Sequence, residues 1–156
     1  MKISINLLTQ CPESIPKLAE IWHEVLGKIW LPEIPMECVL QNLQNHLNNN
    51  SLPLTFVASY FNVPIGMGSL RANDGVRPDL TPWLGSLVIH PNYQKRGIGK
   101  LLIETVKEKA YVFGFKKLYL SAFDPKVEDY YVSLGWKKIG MDEFKGHPVK
   151  VMEIEL

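Results

Sequence analysis

The stretch from Gln94 to Lys100 reads Gln-Lys-Arg-Gly-Ile-Gly-Lys, and its residue types suit the binding of a phosphate group. The apolar periodicity that begins at Ile98 places the stretch at the start of a helix. A helix start presents unpaired backbone N–H groups and the positive end of the helix dipole, so anions bind there. Gly97 and Gly99 lack side chains, which lets phosphate oxygens approach the backbone. Three basic side chains add positive charge: Lys95, Arg96 and Lys100.

The spacing of the glycines excludes two common phosphate loops. A Walker loop needs Gly, four residues and then Gly-Lys-Ser/Thr, whereas here Gln94 stands at the first glycine position and Leu101 follows Lys100. The dinucleotide fingerprint needs a third glycine where this chain has Leu102. A nucleotide-binding domain is therefore disfavoured. From the residues alone, an ordinary strand-to-helix turn with a solvated basic cluster remains the alternative.

A buried strand before this turn and an amphipathic helix after it must position it. Leu84 to Ile89 is a short apolar, β-branched run, and Pro91 ends it because proline cannot donate to a sheet ladder. An irregular loop, residues 72–82, precedes this strand. Further strands are predicted over residues 2–8, 54–60, 65–71, 117–123, 136–139 and 149–155, and further helices over residues 15–26, 36–47 and 126–134.

Two segments of the chain resemble motifs of the GNAT superfamily of N-acetyltransferases. Gln94, Gly97 and Gly99 match the fixed positions of its acetyl-coenzyme A motif, Gln/Arg-x-x-Gly-x-Gly/Ala. Tyr130 to Trp136 is similar to its segment aromatic-Tyr-x-x-Leu-Gly-aromatic, and the resemblance covers roughly residues 54–156. It implies a small bacterial-type member: an α/β (α+β) fold with one domain over residues 1–156 and a mixed sheet of about seven strands flanked by about four helices.

The resemblance implies acetyl-coenzyme A as cosubstrate and assigns its binding residues. Backbone groups of the central strand are expected to orient the pantetheine arm and the thioester, at Leu87, Val88 and Ile89. The pyrophosphate is expected at the turn, formed by Gln94, Lys95, Arg96, Gly97, Ile98, Gly99 and Lys100. No metal is expected, because the four histidines lack the spacing of metal ligands.

Tyr131 stands where relatives place a tyrosine that protonates the leaving thiolate, and we predict that role for it. A phenol has an ordinary pKa of about 10 and is a proton donor at neutral pH. The alternative is that Tyr131 only packs within an amphipathic helix. Tyr130 lies about 100° round that helix, so its hydroxyl is expected to point to a different face.

The sequence leaves the general base open. Many relatives carry a glutamate on the strand after the central helix, where this chain has Ser121. Asp124 lies just beyond that strand and is a weak candidate. Asp74 or Asp79 of the loop before the central strand is a second option. A water chain is the third, because an α-amine with a pKa of about 7.7–8 is already partly neutral.

The acceptor is expected to be a primary amine: a small molecule, a peptide N-terminus or a lysine. Candidate acceptor-binding residues are Trp30, Asp79 and Trp83, although each tryptophan is equally well explained as core. The activity implied is acetyl transfer by direct attack of the amine on the thioester. The alternative is a non-catalytic acyl-coenzyme A sensor or interaction module, which the serine at position 121 favours and Tyr131 opposes.

Composition is that of an ordinary globular protein, with 156 residues, 46% hydrophobic and 21% charged. The net charge of +1 gives no global field for nucleic acid or an anionic membrane, so neither is expected as a partner. Cys11 and Cys38 are too few for a disulfide framework. No stretch reads as a membrane span or a signal peptide, so a cytoplasmic location is expected. The oligomeric state stays open, with a homodimer among the options.

Overall fold

Seven strands form one mixed sheet in the computed structural model, which describes residues 2–156. The strands are β1 Ser4–Leu7, β2 Leu54–Tyr60, β3 Val63–Arg71, β4 Trp83–Ile89, β5 Lys117–Ala122, β6 Lys137–Phe144 and β7 His147–Glu155. Their spatial order is β1-β2-β3-β4-β5-β7-β6. Neighbours are antiparallel except β4 and β5, which run parallel. The mixed seven-stranded sheet predicted from the sequence is confirmed.

Five helices flank the sheet: α1 Ile15–Trp22, α2 Lys28–Trp30, α3 Met36–Gln44, α4 Ile98–Val112 and α5 Pro125–Ser133. A π-helical turn, His23–Gly27, joins α1 to α2, so the two form one helical segment. With α1 and α2 taken together, the prediction of about four helices is confirmed. Proline occupies the first turn of α1 and of α5, where no backbone N–H is needed.

Apolar side chains alternate along the central strands and build a core on each face of the sheet. On one face the register partners Leu70 and Leu84 share a core cluster with Leu102 of α4. On the other face the register partners Met67 and Val88 belong to a cluster with the buried sides of α1 and α3. Because side chains along a strand alternate between faces, one sheet serves both helical layers.

Strands β4 and β5 touch at one end and then separate. Their ladder has one register pair, Trp83 with Tyr119, and the backbone N–H of Tyr119 donates to the carbonyl of Pro82 at 3.1 Å. Beyond that pair the two strands no longer pair, and residues of both line a cleft. The edge of β4 that faces β5 therefore keeps backbone donors and acceptors available.

A β-bulge bends β4 beside this opening. Ser86 and Leu87 together oppose Gly68 of β3, because the register shifts by one residue between the pairs Met67–Val88 and Ser69–Gly85. Ser86 has a φ of +46°, in the left-handed region that residues other than glycine seldom adopt. Such bulges re-aim the backbone and are common beside functional sites.

Several predicted element boundaries are wrong, most clearly in the last hairpin. Strand β6 continues to Phe144 instead of ending near residue 139, and β7 begins at His147 rather than 149. Lys145 and Gly146 form the turn with φ values of +51° and +82°, the left-handed pair that a two-residue hairpin requires. The first position of such a turn is usually Asn, Asp or Gly, and because this chain has Lys145 there, the sequence does not reveal the hairpin. Strand β1 is shorter than predicted, because a 3₁₀ turn begins at Leu8.

We expect Leu102→Ala to destabilise the protein by ~2–5 kcal/mol, because Leu102 is fully buried between α4 and the sheet and its removal leaves a cavity. The neighbouring Leu101 is 43% exposed and supplies the matched control. Leu101→Ala should change stability by no more than about 0.5 kcal/mol. Urea unfolding of both variants measures the difference, and equal losses would contradict the packing of α4 described above.

Candidate active site

A cleft of about 940 Å³ occupies the opening between β4 and β5. One end is bounded by the turn at the start of α4 and by α5. The other end is bounded by α1, α2 and α3 and by the loop that joins β3 to β4. Because the cleft crosses the sheet at the separated strands, a long ligand can enter from one face while a second molecule reaches it from the other.

The turn before α4 is open to the cleft and held in place by β4. Gly97 has a φ of +83°, and no atom lies within 4 Å of the position that a Cβ would occupy. The side-chain amide of Gln94 donates to the carbonyl of Ile89 at 3.0 Å, which fixes the turn to the end of β4. Of the predicted cofactor residues, the cleft is lined by Leu87, Val88, Ile89, Gln94, Lys95, Gly97, Gly99 and Lys100.

Two predicted cofactor residues do not bring their side chains into the cleft. Ile98 is buried among the core residues behind α4, so only its backbone stands at the helix start. The guanidinium of Arg96 lies over the ring of Tyr93, 5.7 Å from its centroid. The structure therefore leaves Ile98 and Arg96 to contribute backbone groups to the turn, and their assignment to the cofactor stays a prediction.

Both tyrosines of α5 line the cleft. Tyr131 is almost fully buried, and its ring centroid lies 5.5 Å from that of Tyr130. Burial, and secondarily the neighbouring Tyr130, raise the pKa of Tyr131 well above its ordinary value, so its hydroxyl stays protonated. The hydroxyl of Tyr130 lies 3.8 Å from the Cβ position of Gly99. The expectation that Tyr130 points away from the site is therefore wrong.

Asp124, the weak candidate base, caps a helix instead of lining the cleft. Its carboxylate accepts a hydrogen bond from the backbone N–H of Lys126 at 2.9 Å and caps the N-terminus of α5. It is not among the residues that line the cleft, whereas Ser121 is. The structure therefore corrects the suggestion that Asp124 is a base, and Ser121 offers no carboxylate in its place.

A polar cluster around Arg71 lines the end of the cleft that is bounded by α3 and by the loop between β3 and β4. The guanidinium donates from Nη1 to Oδ1 of Asp74 at 2.9 Å, from Nε to Nε2 of His46 at 3.1 Å and from Nη2 to the hydroxyl of Ser86. The Nδ1 atom of His46 lies 2.6 Å from the carbonyl oxygen of Asn42. Because Nε2 accepts from Arg71, the ring proton sits on Nδ1 and donates to that carbonyl.

Burial and charge set the protonation of this cluster. Burial, followed by the positive charge of Arg71, lowers the pKa of His46 to about 4, so the imidazole is neutral at physiological pH. Burial raises the pKa of Asp74, and Arg71 opposes that rise. From the sequence, Asp74 is one of several options for the base, and neither Arg71 nor His46 is predicted to belong to the site. The one available signal was a charged residue at the end of the apolar strand 65–71.

Of the three predicted acceptor residues, the structure brings only Trp30 to the cleft. Asp79 is exposed and pairs with Arg77, its Oδ2 lying 2.8 Å from Nη2 of the guanidinium. Trp83 has no exposed surface, and its indole N–H donates to the carbonyl of Leu80 at 2.7 Å. Both assignments are corrected, because Trp83 belongs to the core and Asp79 to the surface.

Neither a metal cluster nor a membrane span is found in the part of the chain that the structure describes. Within residues 2–156, no three His, Cys, Asp or Glu side chains gather as metal ligands. No helix in the same range is long and apolar enough to cross a membrane. The prediction that the reaction needs no metal stays a prediction.

Comparison with known protein families shows which family the chain belongs to. The model of the acetyltransferase (GNAT) family matches residues 16–136. The chain belongs to this family. Membership confirms the family predicted from the sequence and, with it, an acetyl-coenzyme A-dependent N-acetyltransferase that has acetyl-coenzyme A as cosubstrate. No curated protein matches the sequence significantly.

Solved structures share the acetyltransferase fold at low sequence identity. One is the PaiA N-acetyltransferase of Thermoplasma acidophilum in complex with coenzyme A, 20% identical over 100% of both chains with a TM-score of 0.76. An aminoglycoside 6′-N-acetyltransferase complexed with coenzyme A is 16% identical over 99% of this chain and 97% of that one, with a TM-score of 0.75. An acetyltransferase of Thermus thermophilus is 20% identical over 100% of this chain and 98% of that one, with a TM-score of 0.75.

The buried imidazole makes the stability of this acetyltransferase depend on pH. The folded pKa of His46 is about 4 against an ordinary 6.5, so below pH 6.5 the unfolded state binds a proton that the folded state does not. The stabilisation is complete above pH 6.5 and is lost as the pH falls towards 4. We expect His46 to account for a loss of ~2 kcal/mol between pH 7 and pH 5.

The variant His46→Gln isolates that contribution, because its side-chain oxygen can still accept from Arg71 but does not titrate. Urea unfolding of both proteins at pH 7 and pH 5 measures it. Other titrating groups, including Asp74, contribute to both proteins and cancel in the difference. A pH dependence as steep in the variant as in the wild type would contradict the neutral, buried imidazole.

Proposed function

We propose that this acetyltransferase moves the acetyl group of acetyl-coenzyme A to a primary amine by direct attack of the amine on the thioester. The observation that carries the proposal is the separation of β4 from β5. The cleft that this separation opens continues to the glycine turn at the start of α4. The cofactor enters from the side of α4 and α5, and the amine arrives from the side of α1 and α3. A small-molecule or peptide amine as acceptor and a cytoplasmic location stay predictions, and a homodimer stays one option for the oligomeric state.

The unpaired edge of β4 is the expected docking strand for the pantetheine arm. An extended amide-containing chain can pair with a free strand edge through backbone hydrogen bonds. The bulge at Ser86 and Leu87 bends β4 where the strand lines the cleft. The pyrophosphate then lies at the backbone N–H groups of residues 95–100, where Gly97 and Gly99 leave room for it.

The chemical step needs one proton removed from the amine and one delivered to sulfur. The amine nitrogen forms a bond to the thioester carbon, the tetrahedral oxyanion accepts hydrogen bonds from backbone N–H groups of β4, and the C–S bond then breaks. We assign the proton delivered to the thiolate to the hydroxyl of Tyr131, which lines the cleft and, as a phenol, is protonated at neutral pH.

The second candidate is a non-catalytic acyl-coenzyme A sensor. Ser121 lines the cleft where many relatives carry a glutamate, and Asp124 caps a helix instead of replacing it. A sensor would bind acetyl-coenzyme A and release no coenzyme A with any amine. An acetyltransferase releases the free thiol as the amine is acetylated, so a thiol-release assay over a panel of amines separates the two.

Binding of the cofactor at the turn is tested by adding a carboxylate to it. Gly99→Glu should weaken acetyl-coenzyme A binding at least ~100-fold in calorimetry, because the new charge and bulk meet the pyrophosphate. Leu101→Glu adds the same charge two residues along α4, on its exposed side, and should bind nearly as the wild type does. Undiminished affinity of a folded Gly99→Glu protein would exclude the turn as the pyrophosphate site.

Tyr131→Phe tests the general acid. Turnover should fall by roughly 10²–10⁴-fold, the range expected for loss of a proton donor, while acetyl-coenzyme A affinity and stability stay close to wild type. Tyr130→Phe should instead act on cofactor affinity, because the Tyr130 hydroxyl lies beside Gly99. Steady-state kinetics and calorimetry of both variants give the comparison. Full turnover in Tyr131→Phe would reduce that residue to a packing role.

A further inference from the structure

We propose that the acceptor is a hydrophobic amine with a single positive charge, whose ammonium group binds Asp74. Its apolar body packs against an aromatic wall formed by Trp30, Phe123 and Phe144. This inference rests on the proposed function and adds the chemical class of the substrate. It is carried by the position of one carboxylate, by the rings beside it and by the charges of the other side chains that line the cleft.

The carboxylate of Asp74 lies against the strand that is expected to hold the thioester. A Cβ built on Gly85 would come within 3.0 Å of Oδ1 of Asp74 and 2.9 Å of Nη1 of Arg71. Gly85 immediately precedes the bulge in β4, so the ion pair fits only because this residue has no side chain. An ammonium group bound to Asp74 therefore stands next to the bulged backbone of β4.

One oxygen of Asp74 is occupied and the other is available. Oδ1 accepts from Arg71, whereas Oδ2 accepts no hydrogen bond from residues 2–156 and is not among the atoms sealed from solvent. Arg71 is itself committed, since its Nε donates to His46 and its Nη2 to Ser86. The guanidinium thus positions Asp74 and has no nitrogen left without a protein partner, so a free acceptor carboxylate is not the preferred ligand here.

The aromatic wall lines the same cleft as this carboxylate and touches the residue that follows Asp74. The ring of Trp30 meets the rings of Phe123 and Phe144 edge to face, with centroids 4.7 Å and 5.4 Å apart. All three line the cleft, and none is fully buried. A Cβ on Gly75, the residue after Asp74, would lie 2.7 Å from the ring of Phe144. Rings and carboxylate therefore belong to one surface, which suits an ammonium attached to an apolar group.

The remaining charges in the cleft disfavour a polycation. Among the lining side chains of residues 2–156, Asp74 is the one acidic residue. The basic residues that line the same cleft are Arg71, Lys95, Lys100 and Lys126. A polyamine or an aminoglycoside carries several ammonium groups, and each one beyond the first would lose hydration without gaining a carboxylate partner. An arylalkylamine or a branched alkylamine carries one.

The same contact supplies the proton acceptor for the reaction. The bound ammonium gives a proton to Oδ2 of Asp74, which leaves a neutral amine whose lone pair attacks the thioester carbon. Burial raises the pKa of Asp74 and makes the carboxylate a better acceptor for that proton. The carboxylic acid returns this proton to water after the amide has formed. The second proton leaves the nitrogen as the tetrahedral intermediate collapses and replaces the one that Tyr131 gives to the thiolate, so both residues are regenerated.

The first arm of the test compares acceptors on the wild-type chain. We expect kcat/KM for 2-phenylethylamine to exceed that for spermidine and for kanamycin by at least ~100-fold, and that for ethylamine by at least ~10-fold, because the body adds apolar contact. Thiol release measures all four. If kcat/KM for spermidine or kanamycin equals or exceeds that for 2-phenylethylamine, the inference about the acceptor is overturned, while the proposed acetyl transfer stands.

The second arm changes the site. Asp74→Asn keeps an oxygen for Arg71 and should lower kcat/KM for 2-phenylethylamine at least ~100-fold, with acetyl-coenzyme A affinity unchanged. The acidic limb of the wild-type pH profile should disappear in this variant, and Asp74→Glu should restore part of the rate. Asp79→Asn, in the same loop but outside the cleft, is the matched control and should behave as wild type. An unaltered pH profile in Asp74→Asn would remove Asp74 from the mechanism.

The third arm separates failure of the acceptor site from failure of the proposed function. Calorimetry follows 2-phenylethylamine binding to the protein saturated with coenzyme A, where no chemistry occurs. We expect 2-phenylethylamine to bind and Trp30→Leu to weaken this binding ~10-fold or more, which supports the acceptor site. If this result is found but no amine is acetylated, the acceptor site stands and the proposed acetyl transfer fails. No binding of 2-phenylethylamine, together with turnover of a polyamine, would overturn the acceptor inference alone.

Discussion

The structure depends on one strand, β4, whose second edge is paired with a neighbouring strand at a single position. Strand β4 pairs with β3 over most of its length but meets β5 at one register pair. Backbone groups in the interior of a protein need partners, and the open edge of β4 leaves its groups to whatever occupies the cleft. A ligand with amides along its length can satisfy them as a neighbouring strand would. The gap in the sheet thus supports the docking position that we propose for the cofactor, and it lets two faces of the protein reach one point.

The Arg71 cluster couples three separate elements to that strand. His46 follows α3, Arg71 ends β3, and Ser86 forms the bulge of β4. A guanidinium in a partly buried place is tolerated only where its donors are matched, and here each nitrogen has a partner. The cost of leaving any one unpaired keeps the bulge, the helix end and the loop carboxylate in fixed relation. In the acceptor site that we propose, Arg71 acts through Asp74 and does not itself bind the amine.

What the sequence could predict is what short-range spacing determines. Gln94, Gly97 and Gly99 were found because a strand, a turn and a helix start are contiguous in the chain. Trp83 was misplaced because its burial depends on residues such as Val151, which are distant in sequence and meet it only across the folded sheet. The pairing of Arg71 with His46 spans 25 residues and leaves no local pattern. The cap formed by Asp124, in contrast, had a signal in the Pro125 that follows it.

The spacing around Tyr131 has a physical reason that also explains why the motif could be recognised. The carbonyl of Tyr131 accepts from the backbone N–H groups of Leu134 at 3.0 Å and Trp136 at 3.1 Å, which ends α5. Gly135, with a φ of +98°, makes the left-handed turn that this ending requires. The chain then brings the Trp136 ring to 5.8 Å from that of Tyr131, edge to face. The order Tyr-x-x-Leu-Gly-Trp therefore reflects the backbone geometry that ends this helix. The residue whose carbonyl closes the helix also lines the cleft, so backbone geometry sets the position of the side chain that we propose as the general acid.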